Sequence, residues 1–445
     1  MKKSRTLEEY WMWLGVAALG IAGLFATILV VARSPQFKEL RVVQQFFEVA
    51  LVVHVDLSVL IWFLSMVCMG VARLMTPHFV RWPYWHGAGF ACVALATVLI
   101  ALSPLGAWVP LKSNYIPVLH NPLFLASLGL LAAGLVVSLL PVVITHVQRA
   151  HWRSLDATGL GYLAAAAAVL LALAGFILGG KYLPGGMELT EHYDRLFWAG
   201  GHILQFAFTL LVMTAWVQLL QAISGAPLNR RMLFPLYALT LLGALASLGG
   251  FALADMADDR FTLFQTRIMI EWGGLGAGVM GLIILAGLFK TPWAMAQRTS
   301  IAALVVSLLL FFVGGGLGLI INGQNTGIPA HYHGMIGGIT QALMGLAYLS
   351  LPRFGCRSVA SSRLALWQAL VYGMGQLMHA GGLAYSGGYG LLRKTAGGFG
   401  NLSPDLKIAL GVFTFGGLLA IIGGILFVVV MVRAFTRREN KVTRV

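Results

Sequence analysis

Apolar runs of about 20 residues recur from one end of this chain to the other, and roughly 20 apolar residues are what an α-helix needs to cross a bilayer. The 445 residues are 59% hydrophobic and only 10% charged, with a mean hydropathy of +0.84; a soluble domain carries about 25% charge. No polar stretch is long enough for a separate soluble domain. Residues 1–445 therefore read as a single membrane domain, an all-α polytopic bundle of about twelve transmembrane helices. Charge, proline and glycine clusters bound helices that start near Trp11, Phe47, Gly87, Asn121, Thr158, Leu196, Met232, Arg267, Thr299, Ala330, Ala365 and Ile408. The last ends near Met431.

The net charge of +15 invites a nucleic-acid reading, but its distribution opposes one, because the charge sits in short connectors between apolar runs. Most of the lysines and arginines fall on the side that holds both termini, and the acidic residues lean the other way. By the positive-inside rule both termini face the cytoplasm. This gives a short N-tail over residues 1–10, a basic C-tail over 432–445, and a multi-pass protein of the cell inner membrane. The first run, about 22 residues, is too long for a signal-peptide core and no small-residue cleavage site follows it. The three cysteines, Cys68, Cys92 and Cys356, have no paired spacing. They support neither a disulfide frame nor a thiolate metal site, and no Cys-x-x-Cys-His motif is present for covalent haem.

The 11 histidines are more telling. His78, His86, His146 and His151 lie in or beside cytoplasmic connectors, where a solvated or interfacial role is expected. His54, His202, His331, His333 and His379 fall inside spans, all in the outer third of the membrane. Ionisable residues in spans are rare and usually functional, and neutral imidazole is the commonest side-chain metal ligand. In His331-Tyr332-His333 the two imidazoles point roughly 200° apart on a helix of 3.6 residues per turn. They cannot share a metal, but they can serve two metals on opposite sides of one helix. A helix bundle is a normal place for such cofactors.

These features resemble subunit I of the haem–copper oxidase superfamily, which includes oxygen and nitric oxide reductases, over the whole chain. The most specific stretch is Ile328-Pro-Ala-His-Tyr-His-Gly334, which looks like the family's tenth helix. The resemblance implies that His331 binds a high-spin haem and that His333 and His54 are the axial pair of a low-spin haem. Ser386-Gly-Gly-Tyr-Gly-Leu-Leu-Arg-Lys394 resembles the basic loop that holds haem propionates, a role for Arg393 and Lys394 that charge-assisted hydrogen bonding favours. The haems implied are two, non-covalent and b-type. Electrons would come from a cytochrome c or quinol on the outer side, within a complex containing other respiratory subunits, one of them a cytochrome c or copper subunit.

Copper is where the sequence departs from the family pattern. His202, in Phe197-Trp-Ala-Gly-Gly-His202, fits the copper ligand of helix 6. Helix 7 has no histidine, and the family's His-His pair falls on about Gly249-Gly250. The tyrosine that some members carry four residues after the helix 6 histidine is Phe206. One imidazole does not make a copper site, which draws selectivity from several ligands in fixed geometry. His202 is thus a vestigial copper position or, with Gln205 and Glu271, a non-haem iron site. Glu271 has two other readings, a proton relay or a buried partner of Arg267. Copper is expected to be absent or substoichiometric, oxygen reduction slow or absent, and proton pumping weak, since Asp56 and Glu271 are the only acids within spans. Two other classes fit the same chain: a haem-free secondary transporter, and a non-catalytic haem subunit for assembly or sensing. An absorption spectrum separates the transporter from the rest.

Overall fold

The computed structural model describes residues 6–32, 41–75, 82–106, 109–321, 325–389 and 403–437. Eleven helices among them are long and apolar enough to cross a membrane: α1 (Leu7–Ala32), α2 (Phe46–Leu74), α3 (Tyr84–Leu105), α4 (Pro122–Gln148), α5 (Ala157–Tyr182), α6 (Leu189–Ser224), α7 (Arg230–Leu253), α8 (Asp259–Lys290), α9 (Met295–Leu319), α10 (Gly327–Phe354) and α12 (Pro404–Thr436). Between the last two runs α11 (Arg363–Gly388), equally long but diluted by Gln368, Gln376 and His379. The chain is therefore an all-α polytopic membrane bundle. Most consecutive helices pack on one another, with α11 and α12, α5 and α6, α9 and α10, and α3 and α4 among the most extensive pairs, and α1 meets α12.

The boundaries differ from the sequence reading mainly at α6 and α8, which begin well before Leu196 and Arg267. Glu188 accepts hydrogen bonds from the Thr190 and Glu191 amides, and Asp258 accepts from the Arg260 amide. These carboxylates cap helix N-termini that would otherwise expose unpaired N–H groups, so charged segments that read as connector are helical. At the other end of the chain α12 continues to Thr436, into residues expected to form the C-tail.

Burial sorts the helices. α2, α6 and α10 are 72%, 89% and 83% buried over their apolar windows, whereas α1, α3, α7 and α12 are 28–33% buried. Every fourth helix is thus central, and α10 is also the least apolar of the eleven, at a mean hydropathy of 1.3. Polar side chains are costly against lipid, and a helix surrounded by protein can carry them. The central helices are the ones that bear His54, His202, His331 and His333. Small residues bring their backbones close. A Cβ added at Gly314 of α9 would stand 2.4 Å from the Met335 amide nitrogen of α10, and one at Gly334 would stand 2.4 Å from the Gly314 Cα.

At the end of the bundle where α1 begins, a polar clasp joins five helices. Arg73 of α2 pairs with Glu8 of α1 and donates to Gln218 Oε1 of α6 (2.9 Å) and Ser350 Oγ of α10 (2.8 Å). Gln218 Nε2 in turn donates to the Tyr162 hydroxyl of α5 (2.8 Å). The Arg73 and Glu8 side chains are 13% and 17% exposed. Without Arg73, Glu8 would keep, among the described residues, only the more distant Arg353 (3.7 Å), and breaking a buried pair costs up to about 3–5 kcal/mol. Arg73→Ala is expected to lower the unfolding free energy of the detergent-solubilised protein by an amount of that order, read as a lower unfolding midpoint. An unchanged midpoint would show that the clasp contributes nothing to stability.

Candidate functional site

A cavity of about 1760 Å³ lies inside the bundle, larger than the ~300–1,000 Å³ of ordinary small-molecule sites. Its walls come from α1, α2, α6 and α8 to α12, with one edge formed by the connector between α3 and α4. The lining is largely aliphatic and aromatic, and five histidines break it: His54, His202, His331, His333 and His379. The structure thus brings together in one space the five intramembrane histidines singled out by position.

Two of them share a mode of support. His54 Nδ1 donates to the Ala22 carbonyl of α1 (2.9 Å), and His331 Nδ1 donates to the Gly314 carbonyl of α9 (2.8 Å). A carbonyl only accepts, so Nδ1 carries the proton and Nε2 of the neutral ring keeps its lone pair. Metal-bound histidines are held in this way, the second nitrogen fixing tautomer and ring direction. His331 also packs over Gly318, where a Cβ would come 2.5 Å from its Nδ1. His333 turns the other way, its ring centroid 4.2 Å from that of His379 on α11. The two histidines of α10 therefore address opposite neighbours, as their spacing requires. The apolar walls and two Nε2-presenting imidazoles fit a porphyrin with iron.

His202 is built differently. Its Nδ1 donates to the Trp198 carbonyl one turn back (2.9 Å), and its Nε2 accepts from the Tyr115 hydroxyl (2.9 Å). Thr266 Oγ1 of α8 lies 3.4 Å from the same Nε2. Tyr115 comes from the α3–α4 connector, where Pro110–Leu111 (β1) pairs antiparallel with Val118–Leu119 (β2). Two further features hold it in place. The Asn114 amide donates to Asp194 Oδ1 of α6 (2.6 Å), and a Cβ at Gly201 would stand 2.3 Å from the Tyr115 ring. Tyr115 has φ +67°, a left-handed conformation that costs an L residue roughly 1–2 kcal/mol. Such strain persists only where the surroundings fix it.

This donor set does not fit copper. Both nitrogens of His202 are engaged, and the described cavity lining includes no residue of α7. Gly249 lies at an irregular turn near the end of α7, and Gly250 packs on Gln265 and Phe264 of α8. Among the described residues no group of three or more His, Cys, Asp or Glu is placed to hold a metal ion. Gln205 lines the cavity near His202, but Glu271 is exposed, outside the lining, in a π-helical turn over Met269–Gly274. The structure does not bring Glu271 to His202, and exposure also removes the reading of a buried partner for Arg267.

Arg393 and Lys394 lie outside the described residues, as does His78. His86, expected at an interface, is buried. It accepts from Trp11 Nε1 (2.8 Å) and donates to the Ser138 carbonyl (3.1 Å). His146 is buried as well, donating to the Val142 carbonyl (2.9 Å). The residue that sequence reasoning missed is Tyr115. A non-glycine residue with positive φ leaves no mark in the sequence; the one signal that could have pointed to a close neighbour is Gly201 beside His202.

The sequence model for cytochrome c and quinol oxidase polypeptide I matches residues 9–426. A protein of Rickettsia prowazekii (strain Madrid E), described only as uncharacterized, is 29% identical over 96% of this chain and 95% of its own length. A second uncharacterized relative, from Aquifex aeolicus (strain VF5), is 26% identical over 78% of this chain and 84% of its own. With the family model spanning nearly the whole sequence, the chain belongs to the cytochrome c and quinol oxidase polypeptide I family, the haem–copper oxidase subunit I fold.

Proposed function

We propose that the protein is a haem-bearing redox subunit of a respiratory membrane complex, with His54 and His333 the axial pair of one haem, His331 the ligand of a second, and no copper centre beside them. The observation that carries this reading is the fixed tautomer of His54 and His331. Each is pinned through Nδ1 to a carbonyl of a neighbouring helix, so that Nε2 is the coordinating nitrogen. Haem held there would supply a one-electron couple, with His331 holding the second group. The chain's own part is to hold the imidazoles at set angles and to exclude water with the apolar walls. His202 stays metal-free in its bonds to Tyr115 and Trp198.

The haems are non-covalent and of the b type, with Arg393 and Lys394 on their propionates. The electron donor is a cytochrome c or quinol, the two donors in the family's description, met at the outer side through a further subunit. Both termini lie in the cytoplasm and the β1–β2 end faces out of the cell inner membrane.

Pyridine-haemochrome and metal analysis of the purified chain tests the proposal. Two haems per chain and copper well below one per chain are expected. Absence of a Soret band would sink the haem reading in favour of a transporter. One copper per chain with fast oxygen uptake would return His202 to a metal site.

A further inference from the structure

Beside the histidine cavity a second, smaller cavity of about 400 Å³ lies at the β1–β2 end of the bundle. Its walls are polar: Glu188, Glu191, Asp194 and Arg195 from the start of α6, and Thr262 from α8. The two cavities have Asn114 and Trp198 in common. Each helix passes from one to the other. On α6 Arg195 lines the small cavity, Trp198 lines both and His202 lines the large one; on α8 Thr262 lines the small cavity and Thr266 the large. What stands between them is aromatic. The Tyr115 ring lies edge-on to Trp198 (5.8 Å, centroid to centroid) and tilted against His202 (4.8 Å), and Trp198 and His202 are 5.1 Å apart. Trp198 Nε1 donates to the Thr262 carbonyl (3.4 Å), and the Tyr115 hydroxyl donates to His202 Nε2 (2.9 Å).

We propose that Tyr115 is the gate of a polar passage that joins the small cavity to the histidine cavity, for water and small cations, protons among them. The proposal goes beyond the haem reading and stands without it. Three observations meet at this residue. Its ring sits at the boundary, against Trp198 and the bare face of Gly201, where a Cβ would stand 2.3 Å from it. Its backbone holds φ +67°, and strained conformations of this kind cluster at clamps and switch regions. Its latch to His202 is a neutral hydrogen bond, whose net worth is modest enough to break and remake thermally. With the hydroxyl off Nε2 the ring can turn about its Cα–Cβ bond, while the neighbouring Asn114 amide stays anchored on Asp194 (2.6 Å). The charge at the mouth selects the solute. Three carboxylates and one guanidinium line the small cavity, and a cleft dominated by one sign of charge concentrates ions of the other.

The experiment reads access by thiol labelling of the full-length protein in lipid nanodiscs, where lipid covers the sides of the bundle. Gln205→Cys and, separately, Thr266→Cys place a thiol in the histidine cavity, whereas Cys68, Cys92 and Cys356 line neither cavity and give the background. The probe is a trimethylammonium methanethiosulfonate, with the sulfonate analogue for comparison. With Tyr115 in place labelling is expected to be slow. Tyr115→Gly opens the passage, and glycine takes the positive φ freely, so the connector keeps its path; labelling is expected to become severalfold faster. Tyr115→Phe keeps the ring and removes the latch, and an intermediate rate is expected. In Tyr115→Gly the cationic probe should react about 10-fold faster than the sulfonate. Thr266→Cys carries the test if Gln205→Cys does not accumulate. Labelling in Tyr115→Gly no faster than with Tyr115, at the reporters that accumulate, would reduce Tyr115 to packing and overturn the gate. Equal rates for the cation and the anion would remove the small cavity as the route and overturn the proposal as well.

Discussion

Replacing His54 or His333 with alanine is expected to abolish the six-coordinate low-spin haem spectrum and to leave a folded protein. The two parts have different physical origins. On the proposed reading each substitution would leave iron with one imidazole, so the strong-field pair that would keep it low-spin would be gone and the spectral loss complete. The structural cost is small by comparison. At His54 it is one side chain and one hydrogen bond to the Ala22 carbonyl, worth about 0.5–1.5 kcal/mol net. That bond lies among the contacts between α1 and α2, two helices packed along much of their length. A full low-spin spectrum in either variant would remove that histidine from the axial pair. Optical and electron paramagnetic resonance spectra of the detergent-solubilised variants, with gel filtration for folding, make the measurement.

His331→Ala is expected to remove the high-spin signal and spare the low-spin one. The selectivity comes from where the two imidazoles of α10 turn. His331 is held on α9 by the Gly314 carbonyl and sits over Gly318, whereas His333 lies against His379 of α11. A cavity opened on the α9 side leaves the α11 side as it was. Carbon monoxide binding to the reduced protein gives a second readout: on the proposed reading the site that would bind it is the one His331 holds, and the carbon monoxide difference spectrum should vanish with His331. Loss of both haem signals together, in a protein that still elutes as a folded species, would count against two separate sites.

Much of this was legible in the sequence. Apolar length gave the spans, and the five histidines singled out within them line one cavity, because lipid penalises ionisable groups strongly enough for their positions to be informative. The 200° between residues two apart correctly separated His331 from His333. Features that depend on neighbours were not legible. α11 reads as one more span in the sequence, yet it is less apolar than the other eleven, and its Gln368 and His379 are buried against protein. The outer turns of α6 and α8 read as connector because Glu188 and Asp258 look like loop charges until their side chains are seen capping amides. His86 and His146 are buried though they adjoin connectors, since their nitrogens find partners locally. Glu271 was placed correctly in a span, but a π-helical turn changes the direction in which its side chain points, and no pattern of residue types foretells that offset. Tyr115 was invisible because its position depends on a strained backbone and on the missing side chain of Gly201.

The clasp around Arg73 bears on how the chain is made. Arg73 and Glu8 enter the membrane on the first two helices, but Ser350, which completes the guanidinium's hydrogen bonds, comes 277 residues later. At 5–20 residues per second, synthesis of that interval takes roughly 15–55 s. Through that time the nascent helices carry a half-satisfied arginine near the membrane boundary, where water can still reach it. The clasp thus closes late, when α10 arrives with both its histidines and Ser350. A ribosome-bound chain stopped before α10 would hold α1 and α2 loosely, and His331 and His333 would reach the cavity in the same step that completes the clasp, with His379 following on α11.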